Sequence, residues 1–367
     1  MIRIENHFPM EHWEAMHRFL ASNYRADHPI CSKEFFEWQF KVDPRTERAG
    51  IVCAWEGDEL LGILGYVSCP VMWGSPVERK DAAFTLYWMV SPDAPRGLGL
   101  LLLRRVKAIY PFLLTVNASP IGRPILESTG WTCLEQVPRY VVVLNPDHCT
   151  EMLFNGGRTD YLSQLLFSAV PGKALPLNVK EAWMCPPVYR PDWKHYPSLA
   201  FGVVRSASHL QWRYVDHPSF QYHITGLGEP EKPAICVYRI EDTFGCCETK
   251  VGRIVDFFFP VGPEGELQGL TLLNSVLSHL QQAGCAFADF FCTMGRFGNL
   301  FTELGGRLES KTKQVLPVRL TPVEKTVRHQ NVCISTPSTA FKLHNPSGLY
   351  ITKSDIDGDS PAFLHAT

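Results

Sequence analysis

The pattern Trp-x-aromatic-x-x-x-Pro occurs twice in this chain, as Trp38, Phe40 and Pro44 and as Trp212, Tyr214 and Pro218, each after a serine, Ser32 or Ser208. The interval from each tryptophan to a glycine closing a later helical run is also matched: 92 positions from Trp38 to Gly130, and 93 from Trp212 to Gly305. Matched order and matched length together mark a duplication, so the chain must build two copies of one unit. Its 367 residues are ample for two buried cores.

Both copies alternate strands and helices. In the first, Ile2 to Glu5 reads as a strand. Pro9 to Asn23 has helical periodicity, with Trp13, Met16, Phe19 and Leu20 on one face. Ser32 caps a helix that Asp43-Pro44 ends. Ile51 to Trp55 and Leu60 to Cys69 form a hairpin across Glu56-Gly57-Asp58-Glu59. Ala82 to Val90 is an apolar strand, and Leu100 to Val106 an apolar helical run. Phe112 to Asn117 is a strand, Gly122 to Thr129 a helix, and Arg139 to Leu144 a further strand. Asn145 to Pro197 is proline-rich and reads as a connecting segment, with a helix expected over Asp160 to Val170. The second copy then repeats the order: strands Ala234 to Ile240 and Arg253 to Phe259, helix Leu267 to Leu280, strand Phe287 to Thr293, helix Phe297 to Leu304. The expected class is α+β with a mixed sheet in each unit, divided at 1–147, 148–197 and 198–367.

Between the strand ending at Val90 and the next helix stands Arg96-Gly97-Leu98-Gly99. A glycine-rich turn opening a helix is an anion site, because the first amides lack intrahelical partners and the helix dipole is positive there. Gly97 and Gly99 permit close approach of a phosphate, and Arg96 adds a fixed charge. The matching stretch of the second copy, Val261 to Leu270, has Gly262, Gly265 and Gly269 but no cation, and carries Glu264 and Glu266. Two like charges at ~4 Å repel by about 4 kcal/mol at an effective dielectric near 20. Only the first copy should therefore hold a diphosphate.

The first loop resembles the pyrophosphate loop of the GCN5-related N-acetyltransferase (GNAT) superfamily: Arg96 and Gly99 match its pattern, while Leu101 replaces its final small residue. The strand and helix order also matches that superfamily. The resemblance implies acyl-CoA as co-substrate, held by Arg96, Gly97, Leu98, Gly99 and Leu100, by the backbones of Met89 and Val90, and by Asn117. In many GNAT enzymes a tyrosine four residues before a Gly-aromatic pair protonates the leaving sulfur. Here Gly130-Trp131 places Leu126 there, and the second copy has Phe301. A thiol, with reference pKa about 8.5, leaves without much help near neutral pH.

Asp81 heads the strand Ala82 to Val90, with Thr85 and Tyr87 expected on its face by period two, and is one expected base. The other is Asp256, flanked by apolar residues, where a carboxylate must face a cleft or find a buried cation. Asp355, Asp357 and Asp359 read as a solvated acidic turn, with contact between Asp357 or Asp359 and a substrate amine as the functional alternative. They lack the spacing and closing glutamate of a calcium loop. The thirteen histidines form no HExxH pair, and no metal is expected.

A net charge of -2 and a pI near 6.7 leave no footprint for nucleic acid. No apolar run approaches the roughly 18–20 residues of a membrane span. The twelve cysteines include no CxxC pair and one adjacent pair, Cys246-Cys247, so reduced thiols in a cytoplasmic protein are expected. The chain resembles the two-unit GNAT enzymes that N-acylate nucleotide-linked (dTDP) amino-deoxy sugars in surface-polysaccharide pathways, using acetyl- or 3-hydroxybutyryl-CoA. That resemblance implies an amino-sugar acceptor between the units, in a monomer or homodimer. The alternatives are an aminoacyl-tRNA-dependent peptidoglycan transferase, and an acyl-CoA-binding protein without catalysis.

Overall fold

The structure is a computed structural model that describes residues 1–42, 44–74, 78–154, 183–184 (backbone), 191–196, 201–245, 248–311, 316–324, 330–337, 348–355 and 359–361. The helix expected over Asp160 to Val170, the pair Cys246-Cys247, and Asp357 lie outside the described residues.

The first copy supplies β1 (Ile2–Glu5), α1 (Trp13–Asn23), α2 (Lys33–Gln39), β2 (Ile51–Glu56), β3 (Glu59–Ser68), β4 (Ala82–Val90), α3 (Leu98–Ile109), β5 (Phe112–Val116), α4 (Gly122–Ser128), β6 (Thr132–Leu134) and β7 (Arg139–Val143). After α5 (Pro146–Phe154) the second copy supplies α6 (Ala207–Leu210), β8 (His223–Leu227), β9 (Ala234–Asp242), β10 (Lys250–Phe258), α7 (Pro263–Gln282), β11 (Cys285–Phe291), α8 (Gly295–Glu303), β12 (Arg307–Leu308), β13 (Val332–Ser335) and β14 (Leu349–Tyr350). The elements expected in both copies form in the expected order, joined by strands that were not expected, β6 and β8 among them.

The sheets do not keep to their own copies. The first runs β1-β2-β3-β4-β5-β13-β6, and the second runs from an edge strand at Trp183–Met184 through β8-β9-β10-β11-β7-β12. Each copy lends a late strand to the other. β13 pairs antiparallel with β5, Val332 opposite Val116, and β7 pairs antiparallel with β11, Arg139 opposite Phe291. The strand expected to close the first unit forms, but in the other sheet. The divisions expected at 147 and 198 therefore divide the chain and not the sheets. A smaller sheet, β14 with Phe201–Val203, Val71–Trp73 and Glu78–Lys80, also joins residues of both copies.

The exchange corrects the reading of the cysteines. On its far side β13 pairs with β6, which sets Cys133 opposite Cys333, and the two form a disulfide across 200 positions of chain. Cysteines 31, 53, 69, 149, 236, 285 and 292 are buried free thiols.

Local chemistry accounts for the elements around the slot described below. The turn of the β2–β3 hairpin is Gly57-Asp58, and Gly57 takes the positive φ of 59° that such turns require. Ser32 caps α2 through the Phe35 amide. In the second copy the capping serine is Ser206, which accepts from the His209 amide and lies six residues before its tryptophan, as Ser32 does. The repeat thus aligns at Ser206 and not at Ser208. Leu98, Leu102, Leu103 and Val106 make the buried stripe of α3, each contributing about 1.5–3 kcal/mol. α3 covers one face of the first sheet, packing on Val52, Leu64 and Ala83. α1 and α2 cover the other through Phe19, Phe36 and Phe40 against Phe84 and Leu86.

Candidate functional site

The first sheet opens where β4 and β5 part. Their parallel pairing covers Ala82 to Phe84 against Phe112 to Leu114 and goes no further. The Thr115 hydroxyl, donating to the Thr85 carbonyl at 3.0 Å, closes the apex. Beyond it β4 bends. The register against β3 passes from Gly65–Leu86 to Ile63–Met89, and Tyr87 takes a φ of 52°. An irregularity of this kind turns a strand away from its neighbour. Met89 and Val90 pair with β3 on one side and, among the described residues, have no strand opposite them on the other, so their outer edge faces the slot.

The bulge also corrects the expected face of Asp81, Thr85 and Tyr87. Up to Leu86 the period-two alternation puts Phe84 and Leu86 toward α1 and α2, leaving Thr85 in step with Ala83 toward α3. The extra residue then brings Tyr87 and Met89 to the α1/α2 side and Trp88 to the α3 side. Thr85 is buried, whereas Asp81 is exposed at the foot of β4, before the apex. Tyr87 thus lies on the face opposite Thr85.

At the mouth of the slot Gly97 caps α3 with a φ of 87° and no side-chain cap, so the first turn presents backbone amides. The Leu98 amide bonds Pro95 and the Leu101 amide bonds Gly97, while those of Gly99 and Leu100 have no carbonyl partner among the described residues. Arg96 is exposed and makes no ion pair among the described residues. Trp88, which sequence reasoning passed over, ties strand to loop: its indole donates to the Gly99 carbonyl at 3.1 Å. A Cβ at position 99 would sit 3.2 Å from that indole nitrogen, so a larger residue there would press on the Trp88 ring. Leu101 is exposed on the surface of α3.

The far wall is Asn117, exposed at the end of β5 with a φ of 56°. Its amide donates to the Asn331 carbonyl at 2.9 Å, and the Asn331 side chain bonds both the amide and the carbonyl of Ala118. Asn331 precedes the exchanged strand β13, so the second copy braces the slot of the first. On the α1/α2 side Tyr87 meets Tyr24 and His28, with ring centroids 6.2 and 6.0 Å away. Burial, then the charge of Arg25, lowers the pKa of His28 to about 4, and the Arg319 charge of the second copy acts in the same direction. His28 is therefore a neutral imidazole near pH 7.

The equivalent gap in the second sheet is filled. β10 and β11 pair in parallel only as far as Ile254–Phe290. There the Tyr350 hydroxyl donates to Asp256 and to the Phe257 carbonyl, while Ile351 and Thr352 pair with Thr293 and Cys292 at the end of β11. At the helix entrance Gly262 has a φ of 92°, but Pro263 follows and Glu264 and Glu266 occupy the first turn. Arg296 reaches Glu266 at 3.2 Å, a cation from α8 that the local sequence did not reveal.

Asp256 faces no cleft. It is wholly buried, accepting from Arg205 at 2.5 Å, from Tyr214 at 2.8 Å and from Tyr350. The second of the two outcomes expected for it, a buried cation, is realised. Arg205 also holds Asp355 through both carboxylate oxygens, at 2.8 and 3.0 Å, and burial pushes the Asp355 carboxyl up against the opposing pull of Arg205. Asp359 is likewise buried, bonded by Arg239 at 2.8 Å and Tyr222 at 2.8 Å. Burial alone would raise its pKa, but Arg239 and Lys353 outweigh it and hold it well below the carboxylate range. The acidic tail is neither a solvated turn nor a substrate contact at these two positions. It is an anchor for the C-terminal segment.

The duplicated motifs meet each other. Trp38 donates from its indole to the Trp212 carbonyl at 2.8 Å, and Trp212 donates to the Trp38 carbonyl at 2.9 Å, with the rings stacked 5.8 Å apart. Beside them lies a cleft of about 530 Å³ between the copies, lined by residues including Lys41, Arg79, Ser206 and Asp216. Among the described residues no group of three or more His, Cys, Asp or Glu is placed to hold a metal ion, and no helix is long and apolar enough to cross a membrane.

No protein-family model matches the chain, and no curated protein is significantly similar to it in sequence. Solved structures are similar in fold. Saccharomyces cerevisiae N-myristoyltransferase with bound myristoyl-CoA and inhibitors has a TM-score of 0.54 at 10% identity, over 95% of this chain and 84% of that one. A second structure of that yeast enzyme with bound myristoyl-CoA has a TM-score of 0.51 at 12% identity, over 98% and 83%. A conserved protein of Enterococcus faecalis V583, described as a probable N-acyltransferase, has a TM-score of 0.52 at 12% identity, over 92% and 74%. At these identities the likeness concerns the fold alone, a mixed α/β fold shared over nearly the whole length of the chain.

Proposed function

We propose that this chain is an acyl-CoA-dependent N-acyltransferase whose donor lies in the first copy and whose acceptor is a primary amine bound where the two copies meet. The observation that carries this reading is the contrast between the slots. One opens between β4 and β5 under a capless, arginine-flanked helix entrance, whereas the other is filled by Tyr350 and Ile351 behind two glutamates. In this reading Arg96 and the amides of Gly99 and Leu100 take the diphosphate, and the outer edges of Met89 and Val90 take the pantetheine, with Asn117 opposite. The thioester then lies near the bulge at Tyr87.

The amine must arrive uncharged. Its nitrogen forms the C–N bond, the C–S bond breaks, the thiolate leaves, and one proton passes from nitrogen to a base and on to the sulfur or to solvent. Asp256 is buried with Arg205, Tyr214 and Tyr350, and Asp81 stands at the foot of β4, six residues before the bulge and on the closed side of the apex, so in this reading neither expected carboxylate takes that proton and it leaves to solvent water in the slot. Tyr24, His28 and Tyr87 form the acceptor wall in the first copy, and Arg319 contributes from the second. The acceptor class we propose is a nucleotide-linked amino-deoxy sugar, with acetyl- or 3-hydroxybutyryl-CoA as donor.

The test is thiol release on incubation with each acyl-CoA and a panel of dTDP-amino sugars. Release dependent on the sugar supports the assignment. Acyl-CoA binding with no release for any amine would leave a binding protein and refute the enzyme.

A further inference from the structure

The surface around the slot mouth has a composition that a nucleotide donor does not account for. From Ala94 to Leu126 the chain has no Asp or Glu, although the whole protein has 37 and a net charge of -2. Five basic residues fall in that stretch. Lys107 donates to the Thr129 carbonyl and Arg123 is paired with Glu127 and Glu135. The other three, Arg96, Arg104 and Arg105, are exposed and make no ion pair among the described residues.

Apolar side chains lie among them. On α3, Leu100 is 38% and Leu101 42% exposed, one turn before Arg104 and Arg105 and on the same helix face. At the end of β4, Val90 is 41% exposed, and Ile121, just before α4, is 80% exposed. All four border the slot mouth, at the ends of β4 and β5 or on the helices that follow them. Exposed apolar groups rimmed by unpaired charge mark a docking surface. A diphosphate accounts for Arg96 and the loop amides. It does not account for leucines turned to solvent or for arginines two turns along the helix. The second copy is the internal contrast, since its helix entrance carries Glu264 and Glu266 and its slot is filled.

We propose that this face docks an acidic acyl carrier protein, which delivers the acyl group on a phosphopantetheine arm through the mouth of the slot. The inference rests on the acyltransferase reading above, because arm and thioester are common to both donors and only the carrier differs. Arg104 and Arg105 meet carboxylates of the carrier, Leu100, Leu101 and Ile121 cover its apolar patch, and Arg96 meets the phosphodiester. The reaction is unchanged: the C–S bond to the arm breaks, the C–N bond to the amine forms, and the holo-carrier thiol leaves.

The test measures binding of four probes to the full chain: a type II acyl carrier protein loaded with an acetyl group, its apo form without the arm, acetyl-CoA, and vesicles of anionic phospholipid. The acetylated carrier is expected to bind more tightly than its apo form, and added salt is expected to weaken it. In the double variant R104E/R105E, exposed positions outside the diphosphate loop, carrier binding should fall by about tenfold or more while acetyl-CoA binding changes by less than about twofold. Binding of acetyl-CoA without binding of the carrier overturns the inference and spares the enzyme reading. Vesicle binding in place of carrier binding identifies a membrane surface and overturns it too. Equal loss of both donors in the double variant shows that the arginines serve the nucleotide, and failure of both donors with the unaltered chain removes the acyltransferase reading itself.

Discussion

Replacing Asp256 by asparagine separates an anchoring carboxylate from a catalytic one. The native carboxylate accepts three donors: Arg205 Nε, the Tyr214 hydroxyl and the Tyr350 hydroxyl. Asparagine keeps the shape but removes the charge and turns one oxygen into an amide donor, so the Tyr350 hydroxyl, alone on its oxygen, must turn to accept or be left as a buried donor without an acceptor. An orphaned buried donor costs about 1–3 kcal/mol, and loss of charge assistance in the remaining bonds adds to it. Arg205 keeps Asp355, which holds the total near the lower end of what a broken buried ion pair costs, about 3–5 kcal/mol. Against a typical stability of about 5–15 kcal/mol this is a large fraction. Asp256→Asn should therefore lower the unfolding free energy from urea melts by that amount, read from tryptophan fluorescence as an earlier midpoint, while the folded fraction keeps its affinity for acetyl-CoA. An unchanged midpoint with transfer abolished would refute the reasoning and restore Asp256 as the base.

Titration of buried groups gives two pH predictions. Burial and then the Arg213 charge hold His217 at about 3, so between pH 6.5 and that value the unfolded chain takes up a proton that the folded chain refuses. Stability should fall as pH drops through this window, and His217→Asn should reduce the slope in urea melts across pH 4–7. A slope unchanged by the variant would contradict the assignment. Lys353, buried and beside Arg253, is lowered to about 8 from 10.5, so the unfolded chain holds the extra proton between these values and stability should rise with pH there. Lys353→Met should remove that rise, and a rise of the same size in the variant would place its origin elsewhere. Because the Cys133–Cys333 bond closes a 200-residue separation, the Cys133→Ser, Cys333→Ser variant should lose about 2–5 kcal/mol in calorimetry, and an unchanged melting temperature would show that the exchanged strand is held without it.

The parts of this molecule legible in the sequence are those encoded locally. The cap at Ser32, the glycine at 97 and the apolar stripe of α3 each lie within a dozen residues of what they organise, and the repeat at Trp38 and Trp212 shows as one short motif written twice. The misread parts depend on partners far along the chain. Asp256 is held by Arg205 and Tyr350, 51 and 94 positions away, and no local pattern announces a buried guanidinium. Strand exchange is invisible to periodicity, because β7 and β13 alternate in the same way whichever sheet receives them. Cys133 and Cys333 become neighbours only through that exchange. Thr85 and Tyr87 were assigned to one face by a period that holds until the strand bulges. Trp88 was legible in part, as an indole eleven positions before Gly99 on the strand feeding the loop, but its bond to that carbonyl needed the fold.

The account stands on one slot being open to a diphosphate and the other closed by the protein's own chain. Isothermal titration of the full chain with acetyl-CoA tests this directly. The expected result is one site per chain, weakened by about 1.5–3 kcal/mol in Arg96→Ala and unaltered in Glu264→Gln, Glu266→Gln. Two sites per chain, or an affinity indifferent to Arg96 and sensitive to the glutamates, would contradict it.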